Sequence, residues 1–386
     1  MPGYQQLLLG SSWSATGGAP RALTYSFAGD AGTPFSPRQQ DSARAALALW
    51  DTASGLALVE VPDRPGGEGV DLRFRLETLP IDIFGLATGP DEGGDIALNL
   101  RLFRNDPLAP HLTRVSFEVL LHEIGHALGL GHPLADAGAE TVMVTRAGLS
   151  LPTNALRLWD VEAAQHLYGT PEAERALGLT WRWDAQTGAV LGLGTSGEDT
   201  LRGTAHRDAL LGGAGSDLLD GLGGDDLLAP GAGDDVVRGG AGEDTLVLHA
   251  FRDAVMLGPG TADSAEGRDR FEGIERIAFR DGTLTLAGPP ADGAWAPDAE
   301  AGLVARFYHL ALGRRPEEWG IGQWLDILGR GASLEDVAWC FLHSDEAKAR
   351  GGAPFAAPGA LLEAAMNPAT QAALAPLVTE RGVDLL

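Results

Sequence analysis

The chain has 386 residues, enough for two or three domains with buried cores. Acidic residues outnumber basic ones by 53 to 28, which gives a formal net charge of −25. A surface this acidic repels nucleic acid and anionic membranes, so neither is an expected partner, whereas bound cations are compatible with it. A hydrophobic content of 44% argues against disorder.

The cysteine content and the hydrophobic pattern limit the classes further. The single cysteine, Cys340, excludes an intrachain disulfide and thiolate metal sites. No stretch approaches the roughly eighteen apolar residues of a membrane-spanning helix. The first residues lack the basic region and the long apolar run of an N-terminal signal peptide. These features fit a cytoplasmic protein, or one exported by a route that needs no such signal.

The first region, residues 1 to about 185, is predicted to be a mixed α/β domain. Residues 21–29 predict a strand because they are rich in β-branched and aromatic side chains. Ser36 and Pro37 are typical of the N-cap and the first position of the helix that follows. The later patterns predict strands at residues 56–62, 70–76 and 93–100, the last at a sheet edge, and helices at residues 114–129 and 158–169.

Three histidines and one glutamate are concentrated in "LLHEIGHALGLGHP". His122 and His126 are four residues apart on a predicted helix, so their rings leave the same face and can share one cation. Gly129 can take the positive φ that ends a helix, and the chain can then return His132 to the same ion. Glu123 is adjacent to the first ligand and can reach a metal-activated water without being a ligand itself.

This arrangement predicts a catalytic zinc site rather than a structural one. Three neutral nitrogens leave a fourth coordination position open, and Glu123 is placed to act as general base. The alternative is a helix whose histidines only make hydrogen bonds. That alternative is disfavoured because the extended H-E-x-x-H-x-x-G-x-x-H spacing arises by chance in this length with a frequency on the order of 10⁻⁴ or less.

The extended motif resembles that of the metzincin zinc endopeptidases, with Met143 placed as their Met-turn methionine. Pro133 and the strings "LTYSF", "AALALW" and "DVEAAQHLYG" are similar to the serralysin family within that clan. The resemblance implies an α+β metzincin-like catalytic domain over residues 21–185 that binds one zinc ion and hydrolyses peptide bonds of protein or peptide substrates. Residues 1–20 are interpreted as a propeptide or N-terminal extension, from their position before the first strand.

One position departs from the serralysin pattern. Thr145 stands where serralysins place a tyrosine near the zinc, and the other nearby tyrosine, Tyr168, lies in the closing helix pattern. An oxyanion donor worth a few kcal/mol is therefore expected to be missing or supplied by another group. The resulting expectation is a slower or narrower activity than is usual in the family.

Residues 194–247 form six consecutive nonapeptides that begin with glycine or proline. Asp occupies the sixth place of every repeat, at Asp199, Asp208, Asp217, Asp226, Asp235 and Asp244. An aliphatic residue occupies every eighth place, at Leu201, Leu210, Leu219, Leu228, Val237 and Leu246. Two nonapeptides are expected to make one turn, so residues eighteen apart should face each other. This spacing pairs Asp199 with Asp217, Asp208 with Asp226, Asp217 with Asp235, and Asp226 with Asp244.

The repeat is similar to the RTX calcium-binding motif, in which glycines make tight turns and carboxylates supply hard oxygen ligands. A Gly/Asp-rich flexible linker is the alternative, which six residues in register make improbable. The resemblance implies a parallel β-roll with a closing cap over residues 194–290, with several structural calcium ions bound by the six aspartates. Such sites fill at extracellular calcium levels, so the repeat also indicates secretion, through the ABC-type apparatus that the resemblance implies.

The last region, residues 301–386, is predicted to be a small all-α accessory domain that follows a Pro/Ala/Gly linker. It resembles a helical domain of unknown function found beside RTX repeats, through Leu312, Gly313, Arg314, Pro316 and Trp324 among others. That resemblance brings no known chemistry. A surface partner for this domain is a hypothesis only.

Taken together, these patterns predict a secreted zinc-dependent endopeptidase of the serralysin type. Two alternatives stay open. One is a calcium-dependent surface or adhesion protein with a vestigial zinc site, and the other is a zinc-binding scaffold that acts on a non-peptide bond.

Overall fold

The computed structural model divides the chain into two compact units. The first contains residues 1–213 and 217–226, and the second contains residues 214–216 and 227–386. Within them, the structure describes residues 3–13, 22–29, 33–103, 114–133, 140–144, 154–286, 294–297, 299–314, 324, 327–328, 332–349 and 355–367.

A five-stranded sheet organises the first unit. Its strands are β1 (Ala22–Phe27), β2 (Ala57–Glu60), β3 (Leu72–Glu77), β4 (Gly85–Ala87) and β5 (Asp95–Asn99), in the order β2-β1-β3-β5-β4. The first three and β5 are parallel, and β4 is antiparallel to β5. The predicted strands at residues 21–29, 56–62 and 70–76 are therefore confirmed.

The predicted strand at residues 93–100 is confirmed, but its predicted place at a sheet edge is wrong. β5 lies inside the sheet, because the short strand β4 pairs with its outer side and itself occupies the edge. Periodicity could not find β4, since only three residues of the chain, Gly85–Ala87, belong to it.

Helices cover one face of this sheet and form the main core with it. They are α1 (Pro37–Ala53), α2 (Leu100–Phe103), α3 (Arg114–Ala127), α4 (Leu158–Tyr168) and α5 (Pro171–Leu177). Ser36 caps α1 as predicted, in a reciprocal capping box with Gln39. Trp50 of α1 and Phe117 of α3 are almost fully buried in the shared core, which holds α3 rigidly against the sheet. A 3-10 turn at Gly3–Leu7 precedes the sheet.

The first part of the β-roll also belongs to the first unit. Strands β6 (Thr180–Asp184) and β7 (Ala189–Leu193) form a hairpin, and β7 pairs in parallel with β9 (Asp208–Ala214). Strand β8 (Thr200–Arg202) pairs in parallel with β10 (Leu218–Gly223). Both parallel registers join residues eighteen positions apart, so two nonapeptides make one turn as predicted. The roll begins one strand earlier than the repeat, at β7.

The second unit contains further parallel strands of the β-roll type and a closing cap. Its strands are β11 (Leu227–Ala232), β12 (Val236–Ala241), β13 (Thr245–Val247), β14 (Met256–Gly258), β15 (Thr261–Asp263), β16 (Arg268–Glu272), β17 (Arg276–Phe279), β18 (Gly282–Thr285) and β19 (Ala294–Pro297). The parallel pairs are β11 with β13, β12 with β16, and β13 with β17. Antiparallel pairing of β18 with β17 and β19 ends the sheet. Two strands of the predicted cap, β16 and β17, are therefore further parallel strands of the roll.

Helices α6 (Ala299–Leu312), α7 (Leu334–His343), α8 (Asp345–Ala349) and α9 (Pro358–Met366) complete the described part of the second unit. They share one hydrophobic core with Phe251, which lies just after the repeat. A separate all-α domain over residues 301–386 therefore stays a prediction. Within the described residues, no helix is both long and apolar enough to span a membrane.

The roll offers an internal test of its packing at two adjacent leucines. Leu210 is fully buried, whereas Leu211 is 41% exposed. We expect Leu210→Ala to lower the free energy of unfolding by about 2–5 kcal/mol, because it leaves a cavity in a narrow core. Leu211→Ala should change it by no more than about 0.5 kcal/mol. Urea denaturation in saturating calcium measures both values, and equal losses would contradict the assigned inward and outward faces.

Candidate metal centre

Helix α3 and the loop after it bring the three predicted histidines together. The Nε2 atom of His122 lies 3.0 Å from that of His126 and 3.1 Å from that of His132. The remaining pair of Nε2 atoms, on His126 and His132, is separated by 3.2 Å. Within the described residues, these three form the one group of His, Cys, Asp or Glu side chains whose ligand atoms converge in this way.

Backbone carbonyls orient two of the rings. His122 Nδ1–H donates to the carbonyl of Val142 at 2.7 Å, and His126 Nδ1–H donates to the carbonyl of Leu130 at 2.7 Å. A carbonyl can only accept, so both protons lie on Nδ1 and both Nε2 lone pairs point at the shared position. Burial lowers the pKa of His122 to about 4, and it also lowers the pKa values of His126 and His132. All three rings are therefore neutral at pH 7.

The donor set fits a zinc ion. Nitrogen ligands at about 2.0–2.1 Å from one tetrahedral zinc lie about 3.3 Å from each other, close to the separations found here. Neutral imidazoles in a fixed tautomer are the protonation state that metal binding requires. Three protein nitrogens also leave one coordination position for water or substrate.

Glu123 lies next to this trio on α3 and is mostly shielded from water. It is 6% exposed, and burial raises its pKa to about 8. Its side chain packs against Gly85 of the edge strand β4, where an added Cβ would come within 2.7 Å of the Glu123 Cγ and Oε1 atoms. A side chain at position 85 would therefore displace this carboxylate, so the glycine permits the close approach of β4.

Met143 lies beneath the histidine-bearing helix. It is fully buried, and its sulfur atom touches the backbone of α3 at Gly125, where a Cβ would overlap it. The assignment of Met143 as a Met-turn methionine at a zinc site stays a prediction. Thr145 lies outside the described residues.

Asp160 is a supporting residue that the sequence analysis did not single out. It is fully buried at the start of α4 and accepts hydrogen bonds from the Thr141 hydroxyl and from the Val142 amide, the latter at 3.0 Å. The carbonyl of the same Val142 holds His122. Asp160 therefore fixes the segment that orients a histidine. The only sequence signal was its place in "DVEAAQHLYG", where an acidic residue at a helix start is too common to attract notice.

Tyr168 has a structural role in this arrangement. Its hydroxyl donates to the carbonyl of Leu128 at 2.6 Å, at the end of α3. This contact ties α4 to the helix that carries the histidines.

Five of the repeat aspartates lie directly before a strand of the roll and Asp208 is the first residue of β9, and each of the six is at most 9% exposed. In the first unit the carboxylate of Asp217 accepts from the amide of Asp199, and that of Asp226 accepts from the amide of Asp208, both at 2.8 Å. These are two of the predicted pairs, eighteen residues apart. The pairs of Asp217 with Asp235 and of Asp226 with Asp244 join different units and stay predictions.

In the second unit, two acidic residues that the sequence analysis missed continue this series. The amide of Asp235 donates to the carboxylate of Asp269 at 3.3 Å, and the amide of Asp244 donates to that of Glu275 at 2.8 Å. Burial raises the pKa of Asp269, and the charge of Asp235 acts in the same direction.

A weak sequence signal for this continuation existed. "SAEGRDRFE", residues 264–272, keeps the fourth-place glycine, the sixth-place aspartate and an eighth-place apolar residue of the nonapeptide. Two glycines of the motif are absent, and residues 248–263 interrupt the nine-residue spacing. The period was therefore lost before this copy.

Comparison with known families agrees with this architecture. Residues 13–169 match the sequence profile of the matrixin family, and residues 193–228 and 231–255 match that of the RTX calcium-binding nonapeptide repeat. The chain therefore contains a matrixin domain followed by RTX repeats, consistent with a serralysin-type metalloprotease. A matrixin domain implies a metallopeptidase with a catalytic zinc, and RTX repeats bind calcium.

The support given by Asp160 can be tested by Asp160→Asn. The amide offers one acceptor oxygen and turns an NH₂ group toward donors that now face a carboxylate. We expect zinc affinity to fall by about 10–100-fold, because the Val142 carbonyl loses its fixed position. Competition with a chromogenic chelator measures this affinity. Asp184→Asn, at the end of β6 where the carboxylate accepts from the Gln186 amide and the Thr187 hydroxyl, is the control. Equal zinc affinities in the wild type and both variants would contradict the assignment.

Proposed function

We propose that this protein is a secreted zinc-dependent endopeptidase of the serralysin type, with a calcium-loaded β-roll. The observation that carries the proposal is the convergence of three neutral Nε2 atoms at separations of 3.0–3.2 Å, with the carboxylate of Glu123 on the same helix. His122, His126 and His132 would hold the zinc, and Glu123 would be the general base. The matched matrixin profile supports the peptidase assignment.

The proposed chemistry divides between the ion and Glu123. Zinc, when bound, would acidify a water molecule and polarise the substrate carbonyl. The Glu123 carboxylate would take the proton from that water as the oxygen attacks the carbonyl carbon. It would then return the proton to the nitrogen of the departing amine, which completes hydrolysis of the peptide bond. Burial raises the pKa of Glu123 in the absence of an ion, and the positive charge of a bound zinc would lower it again and favour the carboxylate that accepts the proton.

The position of β4 supports an extended peptide as the substrate. β4 is the last strand in its sheet, so one of its edges has no strand partner among the described residues. Gly85 of this strand packs against Glu123, and Leu86 beside it is 52% exposed. A peptide that added to this edge through backbone hydrogen bonds would pass alongside the proposed general base.

The buried carboxylates of the roll support the calcium part of the proposal. We assign Asp199, Asp208, Asp217, Asp226, Asp235 and Asp244 as calcium ligands, since closely stacked carboxylates repel each other unless a cation neutralises them. Calcium reaches the concentration that fills such sites outside the cell. We therefore further propose export through an ABC-type secretion apparatus.

The peptidase assignment is tested by Glu123→Gln, which keeps the size of the side chain and removes the base. We expect casein hydrolysis to fall by about 10²–10⁴-fold or more, while zinc content stays at one ion per chain. Glu172→Gln, on the exposed surface of α5, is the matched control and should retain activity.

The wild-type protein decides between the alternatives. Full zinc occupancy without chelator-sensitive hydrolysis of casein would overturn the proposal in favour of a surface protein with a vestigial site. Hydrolysis of an ester or glycoside alone would favour a non-peptide bond as the target.

Two neighbouring aspartates, Asp225 and Asp226, provide a test of the calcium assignment. Asp226 is buried on the inner side of its turn, whereas Asp225 is exposed. We expect Asp226→Asn to raise the calcium concentration needed to order the roll by on the order of tenfold, because a charged ligand is lost. Asp225→Asn should leave it nearly unchanged. Calcium titration followed by circular dichroism measures both midpoints, and equal shifts would refute the ligand assignment.

A further inference from the structure

The segment from residue 3 to residue 13, here called the N-terminal segment, lies along the loop that carries the third histidine. Leu8 forms an antiparallel bridge with Leu130. The amide of Leu9 donates to the carbonyl of Gly129 at 3.2 Å, and the amide of Gly131 donates to the carbonyl of Leu7 at 2.6 Å. Gly131 directly precedes His132, so this bridge ends one residue from a proposed zinc ligand.

Side chains anchor the same segment to the catalytic core. Leu7 is fully buried in the cluster that contains Leu128 and Leu130. The indole N–H of Trp13 donates to the carbonyl of Ala127 at 2.9 Å, in the last turn of α3. The ring of Tyr4 packs against His166 with their centroids 5.5 Å apart. A segment with these contacts is part of the folded domain.

The turn after α3 is shaped around this segment. Gly129 takes the positive φ of 93° that the sequence analysis expected at the helix end. A Cβ at this position would overlap the carbonyl of Ser11, so the N-terminal segment covers the turn at close range. The following carbonyl, that of Leu130, accepts the Nδ1–H of His126. The bridged loop therefore affects two of the three histidines. Its Leu130 carbonyl orients His126, and its Gly131 directly precedes His132.

We propose that the N-terminal segment is a positioning element of the zinc site and is retained in the active enzyme, an inference that rests on the zinc site proposed above. It fixes the Gly129–Gly131 backbone, and this fixes the direction from which His132 approaches the metal and the carbonyl that orients His126. Removal of residues 1–20 as a propeptide would remove these contacts. The segment supplies no zinc ligand itself, but it holds the histidine ligands in the geometry that binds zinc.

A pair of substitutions at Leu9 isolates the backbone contact. The Leu9 side chain is 57% exposed and packs beside Gly131, and both changes remove this side-chain contact, so the two variants differ in the backbone N–H. Leu9→Pro removes the N–H that donates to Gly129, whereas Leu9→Ala keeps it. We expect the zinc dissociation constant of Leu9→Pro to rise by about 10-fold or more and the absorption bands of its cobalt(II) form to shift. Leu9→Ala should match the wild type in both.

A second pair compares two fully buried leucines of the same core. Leu7→Ala and Leu23→Ala remove the same volume, but only Leu7 belongs to the N-terminal segment. Both should lower thermal stability, and only Leu7→Ala should weaken zinc binding. If the two variants lose zinc affinity equally, or if Leu9→Pro binds zinc as tightly as Leu9→Ala, the inference is wrong.

The intact mass of the active enzyme supplies an independent measurement. Retention of residues 3–13 in the fully active, zinc- and calcium-loaded protein is the expected result. Full activity after loss of residues 1–20 would overturn the inference. Zinc binding by the wild type without peptidase activity would instead reject the proposed function alone, because the affinity comparison would still stand. A wild type that binds no zinc would reject both.

Discussion

The metal centre depends on one constraint, namely that the Nε2 lone pairs of three imidazoles must point at the same place. A helix can satisfy this constraint for His122 and His126 by spacing alone, but it cannot choose their tautomers. That choice is made by two carbonyl groups, Val142 for His122 and Leu130 for His126, which come from segments outside the helix. Each of these carbonyls is held in turn, the first by the buried carboxylate of Asp160 and the second by the bridge to the N-terminal segment.

A second constraint is electrostatic and concerns the carboxylates of the roll. In the roll, aspartates eighteen residues apart lie next to each other. The backbone amide of one donates to the carboxylate of the next, as from Asp208 to Asp226. Such stacking is unfavourable without cations, and RTX repeats bind calcium, so the calcium ligands proposed above would relieve this repulsion. The constraint extends toward the catalytic sheet, because Val190 of β7 and the tryptophans of the β6–β7 hairpin share a hydrophobic cluster with Val59 of β2. Order in the first strands of the roll therefore also supports that sheet.

Sequence reasoning succeeded where a fixed spacing carries the physical information. The nine-residue period gave the eighteen-residue register of the parallel strands, and the serine-proline pair gave the start of α1. It failed where the spacing was broken or the element was too short. The roll strands β16 and β17 follow the interruption at residues 248–263, and β4 has only three residues. Because β4 was not predicted, β5 was wrongly predicted to be the edge strand.

The sequence by itself determined the chemistry that is available: three imidazoles at metal-binding spacing, an adjacent carboxylate, and a ladder of aspartates. It could do so because these patterns are local and each follows the geometry of a single helix or turn. The tertiary structure decided which groups hold that chemistry in place. Asp160, Gly85 and Leu7 are far from the histidine motif in the chain, and nothing in their local sequence reports the contacts they make. Those contacts exist only because the sheet and α4 pack around α3 and bring together segments that are separated in the chain, by 18 residues for Asp160 and Val142 and by far more for Leu7 and the loop after α3.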